Sequence, residues 1–370
     1  MYLKDLVDIQ MGQSPDSKFY NNDKIGLPFY QGKADFGRIN PIPKIWCSKS
    51  KKEAKPNDIL ISVRAPVGDL NINNEQSCIG RGLAAITCKS DVDMMYLYYH
   101  LKYLKPQLRH ISTGSTFESI NRSQLENLII DYKPYSEQIK ISNILQVVQR
   151  QIEVREKLLR LYDLLIKSRF DEFNKNNDNV KVLKLEDICT SIVRGPFGSA
   201  LKVENFVKKS DTSVKVYEQS NAIQRSAAIG SRYISREHYE SLRRFKCKPG
   251  DIIMSCSGTI GKLFILPNDA EEGIINQALC KFTLGKNLLP EVFLLYMDIL
   301  IGNIETKGSG IKNISAVKFI KNLEIPVPPI GIQSKLLFEL DQINKLKSDV
   351  QKSIDETQLL MDSLMQEYFG

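Results

Sequence analysis

Two kinds of hydrophobic pattern alternate along this chain, and each occurs twice. Short apolar runs bounded by Gly, Pro and Asn turns, at Ile59 to Val63, Gly82 to Cys88 and Leu128 to Tyr132, predict strands, and a helical pattern covers Asp93 to Leu108. The same order returns with strands expected at Asp251 to Ser255, Leu263 to Leu266 and Ala278 to Leu284, then a helix over Glu291 to Ile301. A long helical stretch follows each set. Tyr135 to Phe173 contains neither Gly nor Pro, and Ser136, after Pro134, stands where an N-cap is expected. A 4-3 spacing through Ile141, Leu145, Val148, Ile152, Arg155, Leu159, Tyr162, Ile166, Arg169 and Phe173 meets eight apolar residues in ten. The series Leu336, Leu340, Ile343, Lys347, Val350, Ile354, Thr357, Met361, Leu364 and Tyr368 also meets eight in ten.

Two helices in one heptad register are expected to pair along a coiled-coil seam. A pseudo-twofold between the repeats requires them to run antiparallel, which would place one globular unit at each end of a helical rod about 58 Å long. The competing arrangement packs each helix on its own domain. The expected fold class is α+β: two similar globular domains, residues 1–134 and 179–329, with a central helix and linker at 135–178 and a C-terminal helix at 330–370. The polar run Asn174 to Asn179 marks the clearest boundary.

The repeat is also written in residues. Pro56-Asn57-Asp58-Ile59-Leu60-Ile61-Ser62 returns as Pro249-Gly250-Asp251-Ile252-Ile253-Met254-Ser255, and Val67-Gly68 as Ile260-Gly261. Gly114-Ser115 followed by Ile120-Asn121 returns as Gly308-Ser309 followed by Ile314-Ser315. Gln138-x-Lys140 returns as Gln333-x-Lys335. A period this long is domain duplication, because solenoid units span only about 20 to 50 residues.

Charge follows the same division. The net +8 resides in the globular parts: residues 1–134 carry 18 Lys/Arg against 14 Asp/Glu, and residues 179–329 carry 21 against 15. The last 41 residues are acidic. This distribution is compatible with nucleic acid, whose binding depends on local patches. No apolar stretch approaches the roughly 18 residues of a membrane span. The N-terminus lacks the order of a signal peptide, so a cytoplasmic chain is expected. Seven cysteines without a C-x-x-C pair and three scattered histidines point to reduced thiols and structural imidazoles rather than a metal site.

Enzyme signatures are weak. Gly258-Thr259-Ile260-Gly261-Lys262 has two residues between its glycines where a phosphate loop has four, and Leu263 where that loop has Ser or Thr. It reads as a turn between strands. Asn40-Pro41-Ile42-Pro43 lacks the adjacent proline and aromatic residue of an amino-methyltransferase motif. Catalysis by this chain is not expected.

The loops instead carry polar side chains at matching places in both halves. Gln31 and Lys33 follow Phe29-Tyr30, with Arg38 beyond them; Gln219 and Asn221 follow Val216-Tyr217, with Arg225 beyond them. Arg64 occupies the turn corresponding to Ser257, Gly258 and Thr259, and Lys262 closes the second turn. Arg81 corresponds to Asn276 and Gln277. Ser115 and Thr116 correspond to Ser309, near Lys307 and Lys312. Arg, Asn and Gln read guanine and adenine edges through paired hydrogen bonds, whereas Ser, Thr and Lys hold phosphates. A solvated loop is the plain alternative for any one of them; as a set they are candidate DNA-binding residues.

The duplicated P-x-D run, the T-G-S-T…I-N segment from Thr113 to Asn121, the P-x-x-E-Q-x-K-I junction from Pro134 to Ile141 and the two long helices resemble the specificity subunit of type I restriction–modification enzymes along essentially the whole chain. Departures occur at Ile332, where the first junction has Glu137, and at Gly310, where the first half has Thr116. The resemblance implies two target recognition domains, each reading one half of a split double-stranded DNA sequence. It implies paired helices that act as a ruler and dock two modification subunits. Those partners would hold S-adenosylmethionine and perform methyl transfer, and motor/nuclease subunits would join them; no cofactor is expected on this chain. A two-headed scaffold for protein or glycan ligands, and a nuclease or methyltransferase with unrecognised motifs, are the competing expectations.

Overall fold

In the computed structural model, which describes residues 1–112, 118–175, 180–306 and 317–370, the duplication is explicit in the sheets. The first half contains a four-stranded antiparallel sheet in the order Val7–Met11, Leu83–Cys88, Ile59–Ser62, Leu70–Ile72. A five-stranded sheet lies beside it, ordered Tyr20–Asn21, Trp46–Cys47, Leu27–Tyr30, Ser77–Ile79, Glu53–Ala54. The second half repeats both orders strand for strand: Cys189–Arg194, Leu279–Leu284, Ile252–Ser255, Leu263–Ile265, and Phe206–Val207, Tyr233–Ile234, Val214–Tyr217, Gly273–Ile275, Lys246–Cys247. One pair in each half is parallel, Leu27–Tyr30 with Ser77–Ile79 and Val214–Tyr217 with Gly273–Ile275.

The P-x-D strands are apolar without alternation because both of their faces are covered. Ile59 and Ile61 pack toward Leu97 and Leu101 of the helix Met94–Tyr103, while Leu60 packs toward Tyr30, Ile79 and Leu83. Ile252 and Met254 likewise meet Phe293 and Met297, and Ile253 meets Tyr217 and Ile275. Each such side chain contributes about 1.5–3 kcal/mol on full burial.

The strands expected from Ile59, Gly82, Asp251, Leu263 and Ala278 form within a residue or so of their predicted ends. The helix predicted over Asp93 to Leu108 is broken at Leu104 into Met94–Tyr103 and Lys105–His110, where Pro106 lacks the N–H that continuation would use. Leu128 to Tyr132 makes a single bridge, Tyr2 to Ile129, although its counterpart Glu324–Val327 is a strand paired with Lys181–Lys184.

The long helices run Tyr135–Lys175 and Ile330–Phe369, each about 60 Å. The Pro134 carbonyl accepts from Glu137 and Gln138, so the first helix starts at Tyr135 and Ser136 lies inside the first turn rather than at the N-cap. The run of asparagines overlaps this helix's end, and residues 176–179 lie outside the described residues. Of the twenty seam positions, Arg169 alone is exposed.

The chain forms two compact units that divide both helices: Met1–Arg160 with Ser348–Gly370, and Leu161–Lys347. In the first, Ile141, Leu145 and Val148 pack with Met361, Met365 and Phe369 and also with Tyr96 and Tyr99 of the first domain. In the second, Asp163 pairs with Lys347, while Phe173 lines one cleft with Ile332 and Leu336, so the helices run antiparallel there. The two competing packings are therefore combined. Each helix joins its partner and, over its first turns, its own domain.

His100 is 2% exposed and stacks on Phe369 with ring centroids 4.6 Å apart. Burial holds its imidazole down at about 4, against the ordinary 6.5. The unfolded chain therefore protonates first as pH falls. Stability complete above pH about 6.5 is expected to decline by up to about 3 kcal/mol as pH approaches about 4. Urea unfolding of the wild type against His100→Gln tests this, since only the wild type should carry that loss; parallel pH profiles would refute it.

Candidate nucleic-acid interface

The repeated motif residues build one edge in each half by the same bonds. Asp58 accepts from the Lys55 amide at 2.7 Å and the Thr87 hydroxyl at 2.6 Å; Asp251 accepts from the Lys248 amide at 3.0 Å and the Thr283 hydroxyl at 2.6 Å. These carboxylates fix the start of the central strand. At its other end, Ser62 Oγ donates to the Pro66 carbonyl (2.7 Å) and accepts from the Asp69 amide (2.9 Å). Ser255 Oγ does the same with the Thr259 carbonyl (2.6 Å) and the Lys262 amide (2.9 Å). Gly68 and Gly261 close these turns at φ +83°, a left-handed conformation that glycine adopts without a Cβ penalty. The fragment with phosphate-loop likeness is thus the second of two equivalent turns.

Because Leu27–Tyr30 and Ser77–Ile79 are parallel, the loops leaving them emerge side by side. The Gly80 amide donates to the Tyr30 carbonyl at 2.8 Å, and the Val63 amide donates to the Gly82 carbonyl at 2.9 Å. Gln31, Arg64 and Arg81 are consequently neighbours on one edge, and all three are exposed. The Ala65 amide donates to the Glu118 carbonyl (3.0 Å), which brings in the segment just after the T-G-S-T residues. Lys33 stands on the same edge, held 2.9 Å from Asp69, which also binds Lys105 at 2.5 Å. Arg38 is directed elsewhere: its guanidinium meets Glu153 and Glu156 of the central helix at 3.6 and 2.9 Å.

In the second half the Asn276 amide donates to the Tyr217 carbonyl at 3.0 Å, and the Cys256 amide to the Ala278 carbonyl at 2.7 Å. Ser257, Thr259, Lys262 and Gln277 are exposed there. Gln219 joins them, its amide about 4 Å from where a Cβ on Gly258 would lie, and its Oε1 is buried without a hydrogen-bond partner. Arg225 and Lys262 both bear on Asp298, whose carboxyl is pushed up by burial and pulled back by these two cations.

Two of the expected contact residues are buried within their own loops. Asn221 is fully buried; its Oδ1 accepts from the Glu218 amide (2.8 Å) and its Nδ2 donates to the Ser226 and Ile229 carbonyls (2.9 Å each). It shapes its loop and is closed off from the surface. Asn276 is 9% exposed and its Oδ1 accepts from the Ala278 amide at 3.0 Å, so it is a turn former beside the exposed Gln277. Ser115, Thr116, Lys307, Ser309 and Lys312 lie outside the described residues.

One loop of this edge was not anticipated. The segment after the first strand of each four-stranded sheet crosses the same rim. Gly12 donates to the Leu83 carbonyl, and Ser14 Oγ accepts from the Arg81 amide at 3.4 Å. Gly195 donates to the Leu279 carbonyl, and Arg194 Nε donates to the Gln277 carbonyl at 3.0 Å. The signal available was a glycine at Met11-Gly12-Gln13 and Arg194-Gly195-Pro196, which no motif distinguishes from an ordinary turn.

Among the described residues no helix is long and apolar enough to cross a membrane. Six of the seven cysteines are buried and Cys88 is partly so.

The chain matches the family model described as type I restriction modification DNA specificity domain twice, over residues 1–160 and 177–357. It is 45% identical over 150 residues to the putative type I restriction enzyme MjaX specificity subunit of Methanocaldococcus jannaschii, covering 40% of this chain and 35% of that protein. It is 27% identical over 222 residues to the type I restriction enzyme MjaIX specificity subunit of the same organism, covering 55% and 51%. The matched part thus spans at most about half the length of these relatives. The solved type I restriction–modification S subunit from M. genitalium matches all of this chain and 95% of its own, at 14% identity and a TM-score of 0.55, which indicates a shared fold. With both of its halves matched and the same framework built twice, the chain belongs to the type I restriction modification DNA specificity domain family.

Proposed function

We propose that this chain is the DNA-reading subunit of a type I restriction–modification complex and recognises a bipartite target, one half-site per globular domain. The observation that supports this best is the pair of equivalent edges. The Ser62 and Ser255 turns share the same two serine-hydroxyl hydrogen bonds, yet one edge presents Gln31, Arg64 and Arg81 and the other Gln219, Ser257, Thr259 and Gln277. A common frame with unlike side chains suits two readers of unlike half-sites, since guanine and adenine edges are distinguished by Arg and by Gln or Asn. Lys33 and Lys262 suit phosphate contacts that position the protein without reading sequence. The paired helices set the number of unread bases between half-sites and dock two modification subunits. Those subunits carry S-adenosylmethionine and methyl transfer, and motor/nuclease subunits join for cleavage. Joining two readers in one chain raises the effective concentration of the second once the first has bound. A scaffold for protein or glycan ligands has no observation in its favour.

Genome-wide mapping of adenine methylation by the complete complex is expected to show a split motif. Arg81→Ala should relax one half-site by about 1–3 kcal/mol per lost base contact, and Gln277→Ala the other. A continuous motif, or both variants acting on the same half-site, would refute the assignment.

A further inference from the structure

The rim loop that motif reading missed differs between the two halves. In the first, Met11-Gly12-Gln13-Ser14 ends in a small hydroxyl turned back onto the Arg81 amide. In the second, Arg194-Gly195-Pro196-Phe197 ends in a phenyl ring that is 70% exposed. The backbone beneath that ring is fixed. A Cβ on Gly195 would overlap the Asn276 carbonyl, and Pro196 is buried. The Arg194 guanidinium braces the loop, since its Nε donates to the Gln277 carbonyl (3.0 Å) and its Nη2 to the Cys256 carbonyl (3.4 Å), with its centre 5.6 Å from the Phe197 ring. Phe197 is therefore carried on a loop bonded to two of the three reading loops of its domain, while its ring is left mostly to solvent.

We infer that Phe197 is a specificity-determining residue that packs against the 5-methyl group of a thymine in the half-site of the second domain; this rests on the proposed DNA-reading role. The neighbours decide the chemistry. Gln277, whose carbonyl holds Arg194, and Gln219, beside the Gly258 turn, are the residue type that pairs with adenine N6 and N7 in the major groove. Every adenine so read is paired to a thymine, whose methyl is the one apolar feature of that groove and a partner for Phe. Arg194 is a positioning residue, committed to carbonyls of the two loops it joins. No aromatic residue occupies the equivalent place in the first domain, where Ser14 stands, so the contact belongs to one half-site only.

The test uses the full chain with its modification subunits, and duplexes in which each thymine of the motif is replaced in turn by uracil, which lacks the methyl. The half-site of the second domain is the one altered by Gln277→Ala. One replacement there should weaken wild-type binding about fourfold, the value of one buried methyl-sized group. Phe197→Ala should bind the unmodified duplex correspondingly less tightly and lose the distinction between thymine and uracil. Equal wild-type affinity for all duplexes, a penalty that persists in Phe197→Ala, or a half-site with no thymine on either strand overturns the inference. If Gln277→Ala and Arg81→Ala leave both half-sites unchanged, the DNA-reading role itself fails. If they alter one each and the uracil series is flat, only the Phe197 contact fails.

Discussion

Replacing Gln138 or Gln333 by alanine is expected to cost about 3–5 kcal/mol of stability, near the upper end for a single substitution. Both side chains are completely buried near the start of a long helix. Gln138 Oε1 accepts from the Asp93 amide at 2.9 Å, and its Nε2 donates to the Asp91 and Lys133 carbonyls at 3.2 and 2.8 Å. Gln333 repeats this with the Leu289 amide (2.8 Å) and the Asn287 and Pro328 carbonyls (2.8 and 2.7 Å). Each glutamine thus ties three backbone groups of its own domain to the helix that follows. Truncation strands all three in a site closed to water, at about 1–3 kcal/mol for each group left unsatisfied. Glutamate separates hydrogen bonding from volume. A carboxylate would face two carbonyls without a proton to give, so Gln138→Glu should be less stable at neutral pH than in mild acid, where protonation restores one donor. Urea unfolding of both variants provides the measurement. A cost near zero for alanine, or a glutamate variant insensitive to pH, would show that these bonds do not fasten helix to domain.

The second large effect is expected at Gly12 and Gly195. Neither needs an unusual φ; what they need is space. A methyl group on Gly12 would overlap the Gly80 carbonyl and crowd that of Leu83, and one on Gly195 would overlap the Asn276 carbonyl. The obstructing atoms belong to backbone within the reading edge, so no side-chain rotation relieves them. Alanine must push the rim loop off the turn that carries Arg81 or Gln277, at about 3 kcal/mol or more. Methylation at the cognate motif should fall more than about tenfold, because displaced donors no longer reach their base edges. Gly32→Ala is the control: it lies on the same edge with nothing near its would-be Cβ and should retain activity. Equal activity in Gly12→Ala, Gly195→Ala and Gly32→Ala would mean that the rim loops are not held as described.

Much of the framework was legible in the chain. The P-x-D runs, the Gly68 and Gly261 turns and the two heptad series are local features whose period or turn chemistry is set by neighbouring residues. The glutamines of the Q-x-K junctions were visible as repeats, but their role was not, since two of the three partners of each lie about 45 residues away. The site was legible as a set of loops and less so residue by residue. Asn221 and Asn276 had the right chemistry for reading bases, but burial commits them to their own loops. Arg38 had the right charge but answers two glutamates of the central helix.

By itself the sequence determined that the molecule is built twice, which segments are helical, and that polar loops follow equivalent strands. These follow from periodicity and turn residues acting over a few positions. Only the tertiary structure decided that Leu27–Tyr30 and Ser77–Ile79 pair in parallel, and Val214–Tyr217 with Gly273–Ile275. That pairing joins strands about 50 residues apart in the first half and about 60 in the second, which no local pattern encodes, and it gathers Gln31, Arg64 and Arg81 on one edge and Gln219, Thr259 and Gln277 on the other. It also decided which polar side chains remain free to meet a partner, because burial is a property of the packed chain and not of the residue.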